Sequence, residues 1–449
     1  MRRAASLVLA IPPFALFALF AACSSDPATG GGGTGGSAGD AGPDAPLDAL
    51  PDVPLPDTGI PNPCSLPGSI QFTAGGKTVV PGGSSPVDLS FIDLPEGFCA
   101  HYFATVGNTR QIRVAPGGEV FVASPTGLTT GGGPGGNNAI MVLVDDDHDG
   151  VADAPQTFLA NLPRTQGMMF TGAHFYYQDD QRILKLPYAP GDRQPSGAPE
   201  QIADITYYYS ALHWPKGIDI ADDGTLYVSN GGDQGEACVG PPHPFNGGVR
   251  RIDGTPNGAP VSQGLRNAIS VRCARGHNKC FALEMAKDYT AETGGREKLV
   301  PIRQGDDWGF PCCATKNLPH VEFPGTDCSG VVSEDVSFLI GDSPFSLAFA
   351  PASWPGKWAG SALVANHGAA GSWVGARVVS IAMDPATGDP VPGSNINGQD
   401  VGGMSDFATG WDDGTLTHGR PAAVDFGTDG RLYVGNDNNG VIFWIAPMN

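Results

Sequence analysis

The chain has 449 residues, with 25 lysines and arginines against 46 aspartates and glutamates and a formal charge of −21 at pH 7. Proteins that bind nucleic-acid phosphates need a basic surface, so this balance excludes nucleic acid as the main partner. The length is ample for a large core, and 65 glycines with 41 prolines indicate many turns.

The first 22 residues have the pattern of an export signal. Arg2 and Arg3 precede an apolar run, two alanines follow it, and Cys23 comes next. A basic start, an apolar middle and small residues before the cleavage point are typical of a secretory signal. The cysteine after the small pair is typical of a bacterial lipoprotein, so we expect residues 1–22 to be removed and Cys23 to be lipidated. An ordinary signal peptide with a nearby cysteine is the alternative.

Residues 23–63 predict a disordered tether. They consist mainly of Gly, Ala, Asp, Pro and Ser, with almost no large apolar side chains. Such a segment cannot bury enough surface to offset its loss of conformational entropy. We therefore place the folded domain at residues 64–449. The protein is expected at the outer membrane, in the periplasm or on the cell surface, attached to the membrane through a lipid anchor only.

The cysteine count suggests disulfides. Nine cysteines without the lipidated Cys23 leave an even number in an exported protein. Cys273 and Cys280 flank a short turn, so we predict that they face each other across a hairpin and pair. The other six allow too many pairings to assign. Adjacent Cys312 and Cys313 lack the usual spacing of zinc ligands, which disfavours a metal–thiolate site.

A strand–turn–strand phrase recurs along the domain and predicts its architecture. Each copy joins two alternating apolar strands through a turn, and the turn ends in glycine in the clear copies. The clear copies begin at Ile112, Ile218 and Val424, and weaker copies begin at Met168, Ile269 and Leu347. Six units predict an all-β fold, a six-bladed β-propeller with four strands in each blade. A solenoid is the alternative, which the Gly/Pro-rich connections disfavour.

One acidic segment carries the pattern of a calcium loop. Asp145, Asp147, Asp149 and Asp153 stand at positions 1, 3, 5 and 9 of this segment, with a glycine at position 6. In calcium loops, side chains at this spacing surround the ion and the glycine makes the sharp turn. Position 12 is Gln156 rather than glutamate. We expect a structural calcium site on a loop between the first two blades, and a solvated acidic turn is the alternative.

Residues that precede the innermost strands of a propeller converge around one end of its channel. At these positions the units place Arg110, Arg164 with Gln166, His213, Arg266 with Asn267, Asp342 with Ser343, and Arg420. Four arginines here, in an acidic chain, predict an anionic ligand held by guanidinium groups. Pairing of these arginines with neighbouring carboxylates is the alternative.

At these residues the chain resembles the soluble sugar dehydrogenases that use pyrroloquinoline quinone (PQQ) and the related sorbosone-dehydrogenase-like proteins. The resemblance covers nearly the whole domain. Its motifs are GLRNA at 264–268 followed by GDDWGFP at 305–311, HWPKG at 213–217, and VANHG at 364–368 with GARVV at 375–379. It implies a six-bladed propeller that holds PQQ, with calcium bound to it, over the channel mouth.

The resemblance also implies roles for single residues. His213 matches the general base that takes the alcohol proton while hydride passes to the quinone, a task that suits the pKa of histidine. Arg266 matches the arginine that stabilises negative charge developing on the quinone oxygen. Asn267, Arg377 and Arg420 match cofactor-binding positions, and Arg377 stands where a lysine is usual.

The chain departs from the family at the loop that binds calcium and quinone. Residues 284–297 are not the usual acidic, Gly-rich stretch, and Glu284, Asp288 and Glu297 are only candidate oxygen ligands. Ala422 stands where some members carry a second arginine.

Three classes of function remain open. The favoured one is PQQ-dependent oxidation of a sugar or other alcohol or aldehyde, with an unknown electron acceptor. The second is a surface-tethered propeller that binds a carbohydrate or a protein without catalysis, since a fold does not determine function. The third is a calcium-dependent lactonase-type hydrolase, which ranks last because it would need acidic and amide ligands where this chain has arginines.

Overall fold

A computed structural model describes residues 62–448 except 84, 128–134, 207, 209–212, 233–237, 239–246, 256–257, 287–294 and 316–317. The predicted signal, the tether up to residue 61, Cys23 and Asp288 lie outside the described residues. In the part that is described, no helix is long and apolar enough to cross a bilayer.

The described chain is built of β-strands. The first three strands are β1 (Ile70–Thr73), β2 (Gly76–Val79) and β3 (Phe98–Thr105). Blade one contains β4 (Gln111–Val114), β5 (Val120–Ser124), β6 (Ala139–Leu143) and β7 (Gln156–Ala160). Blade two contains β8 (Met168–Phe170), β9 (His174–Gln178), β10 (Arg182–Pro187) and β11 (Glu200–Asp204). Blade three contains β12 (Ile218–Ile220), β13 (Leu226–Asn230), β14 (Gly248–Ile252) and β15 (Ala259–Gln263).

The second half of the chain supplies the other blades. Blade four contains β16 (Ala268–Ala274), β17 (Lys279–Glu284), β18 (Glu297–Pro301) and β21 (Val336–Phe338), and the segment before β21 forms the hairpin β19 (Cys313–Thr315) and β20 (Leu318–Pro319). Blade five contains β22 (Pro344–Phe349), β23 (Ala362–Asn366), β24 (Arg377–Ile381) and β27 (Met404–Ala408), with β25 (Gly393–Ile396) and β26 (Gln399–Gly402) inserted before β27. Blade six contains β28 (Pro421–Phe426), β29 (Leu432–Asn436) and β30 (Val441–Pro447).

The innermost strands close into a ring, which confirms the six-bladed propeller. They are β4, β8, β12, β16, β22 and β28, and each contacts the next, with β28 contacting β4. Each of the six repeat starts lies on a different one of these strands. A solenoid would leave its first and last units apart, so the alternative is excluded.

The chain closes the ring through its two ends. Strand β3 pairs antiparallel with the C-terminal β30, from Phe98 opposite Pro447 to Thr105 opposite Val441. The fourth strand of blade six therefore comes from the N-terminal side of the domain.

The prediction of four strands in every blade was wrong for two blades. The hairpin β1–β2 extends blade six beyond β3, and the hairpin β25–β26 extends blade four by parallel pairing with β21. Both hairpins lie outside the repeated phrase, so the repeat could not predict them.

Apolar side chains fill the space between neighbouring blades. Between blades one and two, Phe121 contacts Phe158, Phe170 and Phe175 with ring centroids 4.8 to 5.3 Å apart. Burial of such a side chain stabilises a fold by about 1.5–3 kcal/mol. The inward faces predicted from the alternating pattern therefore form the inter-blade core.

Four disulfides join the eight described cysteines. They link Cys64 to Cys99, Cys238 to Cys312, Cys273 to Cys280, and Cys313 to Cys328. Cys273 and Cys280 are opposite partners on β16 and β17, as the hairpin pattern predicted. The adjacent Cys312 and Cys313 have different disulfide partners, which leaves no thiolate pair there for a metal.

Candidate active site at the channel mouth

Three of the residues named from the sequence meet where β13 ends, at the mouth of the channel. His213 Nδ1 lies 2.7 Å from the carbonyl oxygen of Gly232. The N–H of Gly232 donates to the carbonyl of Arg266 at 2.6 Å. Gly231 forms a β-bridge with Asn267. We call His213, Arg266 and Asn267 the His213–Asn267 group, which joins blades three and four.

Gly231 is the point of closest approach in this group. A Cβ at this position would lie 2.4 Å from Cβ of His213 and 2.9 Å from Oδ1 of Asn267. Real Cβ atoms do not come as close as the first of these distances, so only glycine fits between the two side chains. The base and the amide predicted from the sequence therefore lie on either side of one backbone position.

The surroundings of His213 define its chemistry. Its side chain is buried, with 4% of the residue exposed. Because Nδ1 faces a carbonyl oxygen, the neutral ring carries its proton on Nδ1, and Nε2 is the basic nitrogen. Lys216 Nζ donates to the carbonyls of His213 at 3.2 Å and Trp214 at 3.0 Å, and burial lowers the pKa of Lys216 to about 7.

Arg266 is held by blade four. Its N–H donates to Oε1 of Glu284 at 2.8 Å, and its Nη1 donates to the carbonyl of Ala286 at 3.0 Å. Glu284 also lies 3.2 Å from Nζ of Lys298. Glu284, a candidate calcium ligand from the sequence, is therefore engaged in positioning Arg266. The candidate Glu297 accepts the N–H of Ser343 at 2.5 Å.

Several buried amide oxygens at the mouth have no hydrogen-bond partner among the described residues. They include Oδ1 of Asn267, Oδ1 of Asn366 and Oε1 of Gln166. Nε2 of Gln166 donates to the carbonyl of Ile269 at 3.0 Å, so this side chain reaches from blade two to blade four. Buried polar atoms are usually hydrogen-bonded, so such atoms indicate where a polar ligand would bind.

A second cluster of polar side chains lies between blades five, six and one. Asp437 accepts from Nη1 of Arg110 at 2.7 Å and lies 2.9 Å from Nε2 of His367. Arg420 donates from Nε to the carbonyl of His367 at 3.0 Å and from Nη2 to that of Gly368. We call Arg110, His367, Arg420 and Asp437 the Asp437 cluster. All four are buried.

The Asp437 cluster has a net positive charge. Burial lowers the pKa of His367 to about 4 despite Asp437, so the imidazole is neutral at pH 7. Burial alone would raise the pKa of Asp437, but His367 and the two arginines lower it to about 2. Two guanidinium groups thus share one carboxylate, and Nη1 of Arg420 has no hydrogen-bond partner in the described structure. Buried charge without a counter-charge is costly, so the cluster favours an anionic group.

Arg377 belongs to neither group. Its Nε lies 2.8 Å from Asp406, Nη2 lies 3.2 Å from Asp400, and Nη1 lies 3.4 Å from Asp342. Arg164 pairs with Asp180 at 3.3 Å. For Arg164 and Arg377, pairing with protein carboxylates describes the structure better than binding of an anionic ligand.

Below the mouth, the innermost strands carry charged side chains that were not predicted as site residues. Arg272 pairs with Asp425 and lies 3.9 Å from Asp219, while Nε of Arg113 donates to the carbonyl of Met168 at 2.8 Å. Arg113, Asp219 and Asp425 each follow the first residue of a repeat, a signal that could have identified them.

The predicted calcium loop lies far from these groups. Carboxylate oxygens of Asp145, Asp147 and Asp149 lie within 4.8 Å of one another, whereas Asp153 accepts the N–H of Asp146 at 3.1 Å. The loop joins β6 to β7 inside blade one, so its predicted place between two blades was wrong. The first repeat contains all four strands of blade one, and β6 runs away from the mouth. The loop is therefore on the opposite face.

Comparison with known proteins establishes the fold. No protein-family model and no curated protein matches the chain. The structure is similar to that of a Trichoderma reesei carbohydrate-active enzyme of family AA12, with a TM-score of 0.62, 16% identity, and coverage of 81% of this chain and 100% of that chain. The PQQ domain of pyranose dehydrogenase from Coprinopsis cinerea gives a TM-score of 0.61, 15% identity, and coverage of 79% and 96%. The soluble aldose sugar dehydrogenase from Escherichia coli gives 0.52, 11%, and coverage of 78% and 99%.

Proposed function

We propose that this protein is a PQQ-dependent dehydrogenase that oxidises a sugar or another alcohol or aldehyde. The observation that carries the proposal is the His213–Asn267 group. It brings a buried base, a guanidinium group and an unpartnered amide oxygen to one side of the channel mouth. The same propeller fold occurs in a pyranose dehydrogenase PQQ domain and in an aldose sugar dehydrogenase.

The residues at the mouth fit a quinone that carries carboxylates. The Asp437 cluster supplies a net positive charge, and Nη1 of Arg420 is a buried donor that no described group accepts. Arg266, Asn267 and Arg420 would hold the cofactor. Arg377 does not fit this role, because three protein carboxylates already surround it.

Calcium at the mouth has less support from side chains. In the described part of the chain, no cluster of three acidic, histidine or cysteine side chains that could hold a metal lies at the mouth. Among the described residues, Glu284 is engaged by Lys298 and Arg266, so calcium bound with the quinone would need other oxygen ligands, from the cofactor or from elsewhere in the protein.

The side chains of the His213–Asn267 group would divide the work of oxidation. When bound, PQQ would supply the two-electron oxidising power by accepting hydride from the substrate carbon. Nε2 of His213 would take the proton of the substrate hydroxyl, since Nδ1 faces Gly232. Arg266 would place a positive charge where negative charge develops. The charged side chains below the mouth would keep both reactants on the mouth side.

Reconstitution tests the proposal. The purified domain, with its disulfides intact, is titrated with PQQ with and without calcium, and bound cofactor is followed by its absorbance. Dye-linked activity is then measured on a panel of aldoses, simple alcohols and aldehydes. We expect saturable binding and activity on at least one class. Folded protein that binds no PQQ and oxidises nothing would overturn the proposal and favour the non-catalytic binding propeller.

We also propose that the protein is exported and anchored through Cys23. Four disulfides support an oxidising compartment, because cytosolic thiols are kept reduced. Metabolic labelling with a fatty acid should label the full chain, and Cys23→Ser should remove the label and release the protein from membranes. Labelling that persists in the variant would contradict the anchor.

A further inference from the structure

The calcium-loop segment of blade one lies across the closure between the first and last blades. The N–H of Ala152 donates to the carbonyl of Phe103 on β3 at 2.8 Å. Nε1 of Trp444 on β30 donates to the carbonyl of Gly150 at 2.9 Å. Both β3 and β30 belong to blade six, so this loop contacts the two strands whose pairing closes the ring.

Three carboxylates of this loop have the spacing of ligands to one ion. One oxygen from each of Asp145, Asp147 and Asp149 lies within 4.8 Å of the others. Calcium binds oxygens at about 2.3–2.6 Å, so two of its ligands lie at most about 5 Å apart. The observed separation is compatible with a shared ion.

A buried oxygen of Asp145 independently indicates a cation. The Asp145 side chain is 8% exposed, and its Oδ1 is buried with no hydrogen-bond partner in the described structure. The other oxygen, Oδ2, accepts the N–H of Gly150 at 3.1 Å and lies 4.0 Å from Nη1 of Arg431. A buried carboxylate oxygen without a donor is costly, and a bound cation would remove this cost.

We propose that Asp145, Asp147 and Asp149 bind a Ca²⁺ ion that links blade one to blade six. An all-oxygen site on an irregular loop suits calcium, which accepts six to eight oxygens in flexible geometry, better than magnesium, which requires near-octahedral geometry. The absence of thiol and imidazole groups from the trio disfavours zinc. The site is on the face opposite the mouth, so the proposal does not depend on quinone chemistry.

The expected consequence is stability of the ring closure. A ligand that binds only the folded state stabilises it by mass action. Because the loop contacts β3 and β30, loss of the ion should loosen the pairing between the two ends of the domain. Asp153 hydrogen-bonds to the backbone of Asp146 and contributes to the loop conformation rather than to the trio.

Calcium titration of chelator-treated protein tests the site. We expect Ca²⁺ to raise the Tm of the wild-type domain far more than Mg²⁺ at equal concentration. We expect the double variant Asp147→Asn, Asp149→Asn to lose most of this rise. The matched control is Asp146→Asn, because Asp146 lies in the same loop but pairs with Arg193. The control should keep the full rise.

Terbium luminescence reports binding directly. Tb³⁺ occupies calcium sites, and Trp444, which donates to Gly150 in this loop, should sensitise its emission. Trp444→Phe should lose most of the emission and keep the calcium-dependent rise in Tm. This variant leaves the three carboxylates intact, so it tests the site even if the double variant does not fold. An equal Tm rise in the double variant and the wild type, or no rise in either, would overturn the proposal. Sensitised emission that keeps its wild-type strength in the double variant would overturn it as well.

Discussion

Nε2 of His367 lies 2.9 Å from Oδ1 of Asp437, although the two residues come from different blades. The other oxygen of Asp437 accepts from Arg110 of blade one at 2.7 Å. A single carboxylate thus joins blades five, six and one at the mouth. In the described structure, Asp437 is also the only carboxylate whose negative charge acts on Arg110, and the only one whose charge acts on Arg420.

Replacement of Asp437 should therefore destabilise the domain strongly. Asp437→Asn would leave two buried guanidinium groups without their counter-charge, and loss of one partner of a buried pair costs about 3–5 kcal/mol. Urea unfolding of the variant measures the loss. Asp413→Asn is the matched control, since Asp413 pairs with His418 at the same 2.9 Å but is exposed. Similar small effects in both variants would contradict the prediction.

Stability should fall as the pH is lowered from 7 towards 4. Burial lowers the pKa of His367 from 6.5 to about 4, so the folded state binds fewer protons than the unfolded state in this interval. The contribution of His367 is complete above pH 6.5 and is lost as the pH falls to about 4. Asp437, with its pKa lowered from 3.8 to about 2, adds a second loss below pH 4.

Thermal unfolding at several pH values checks this prediction. His367→Gln removes the titrating ring, so the decline in Tm between pH 7 and pH 4 should become shallower than in the wild type. His174→Gln, a replacement at the start of β9 and away from the mouth, is the matched control, and the slope should change more in His367→Gln than in this variant. An unchanged slope in His367→Gln would show that other groups cause the decline.

The repeat made the architecture predictable because its signals are local. Alternating apolar residues and the turn glycines Gly118, Gly224 and Gly430, all with positive φ, specify a strand pair within one stretch of chain. The ring then follows from six such units. Extension of two blades by hairpins depends on packing between distant segments, for which the repeat contains no information.

The site was predictable only in part for the same reason. His213, Arg266 and Asn267 precede innermost strands, so topology alone brings them to the mouth. Asp437 follows β29 and meets Arg110 across 327 positions of sequence, which no local pattern reveals. Arg377 matched a family motif, but the motif did not show the surrounding carboxylates of Asp342, Asp400 and Asp406.

Removal of the base should abolish most of the proposed activity without preventing cofactor binding. His213→Ala removes the proton acceptor, and general bases contribute roughly 10²–10⁴ in rate. PQQ affinity should change little, whereas Arg266→Ala should lower both affinity and kcat. Dye-linked steady-state kinetics and PQQ titration separate the two effects, with His174→Ala as the control. Full activity in His213→Ala would exclude this residue as the base.

Gly231 gives the sharpest test of the site geometry. In Gly231→Ala the new methyl group would lie 2.4 Å from Cβ of His213 and 2.9 Å from Oδ1 of Asn267, so these side chains must move apart. Small misplacements of reacting groups cost about 10²-fold in rate, so we expect a loss of kcat of this order in a variant that still folds. Gly172→Ala is the matched control, because a Cβ at Gly172 would meet no atom within 4 Å and its φ is not positive. Unfolding and kinetic measurements on both variants decide the matter. Normal kcat in Gly231→Ala would show that catalysis does not depend on the spacing of His213 and Asn267.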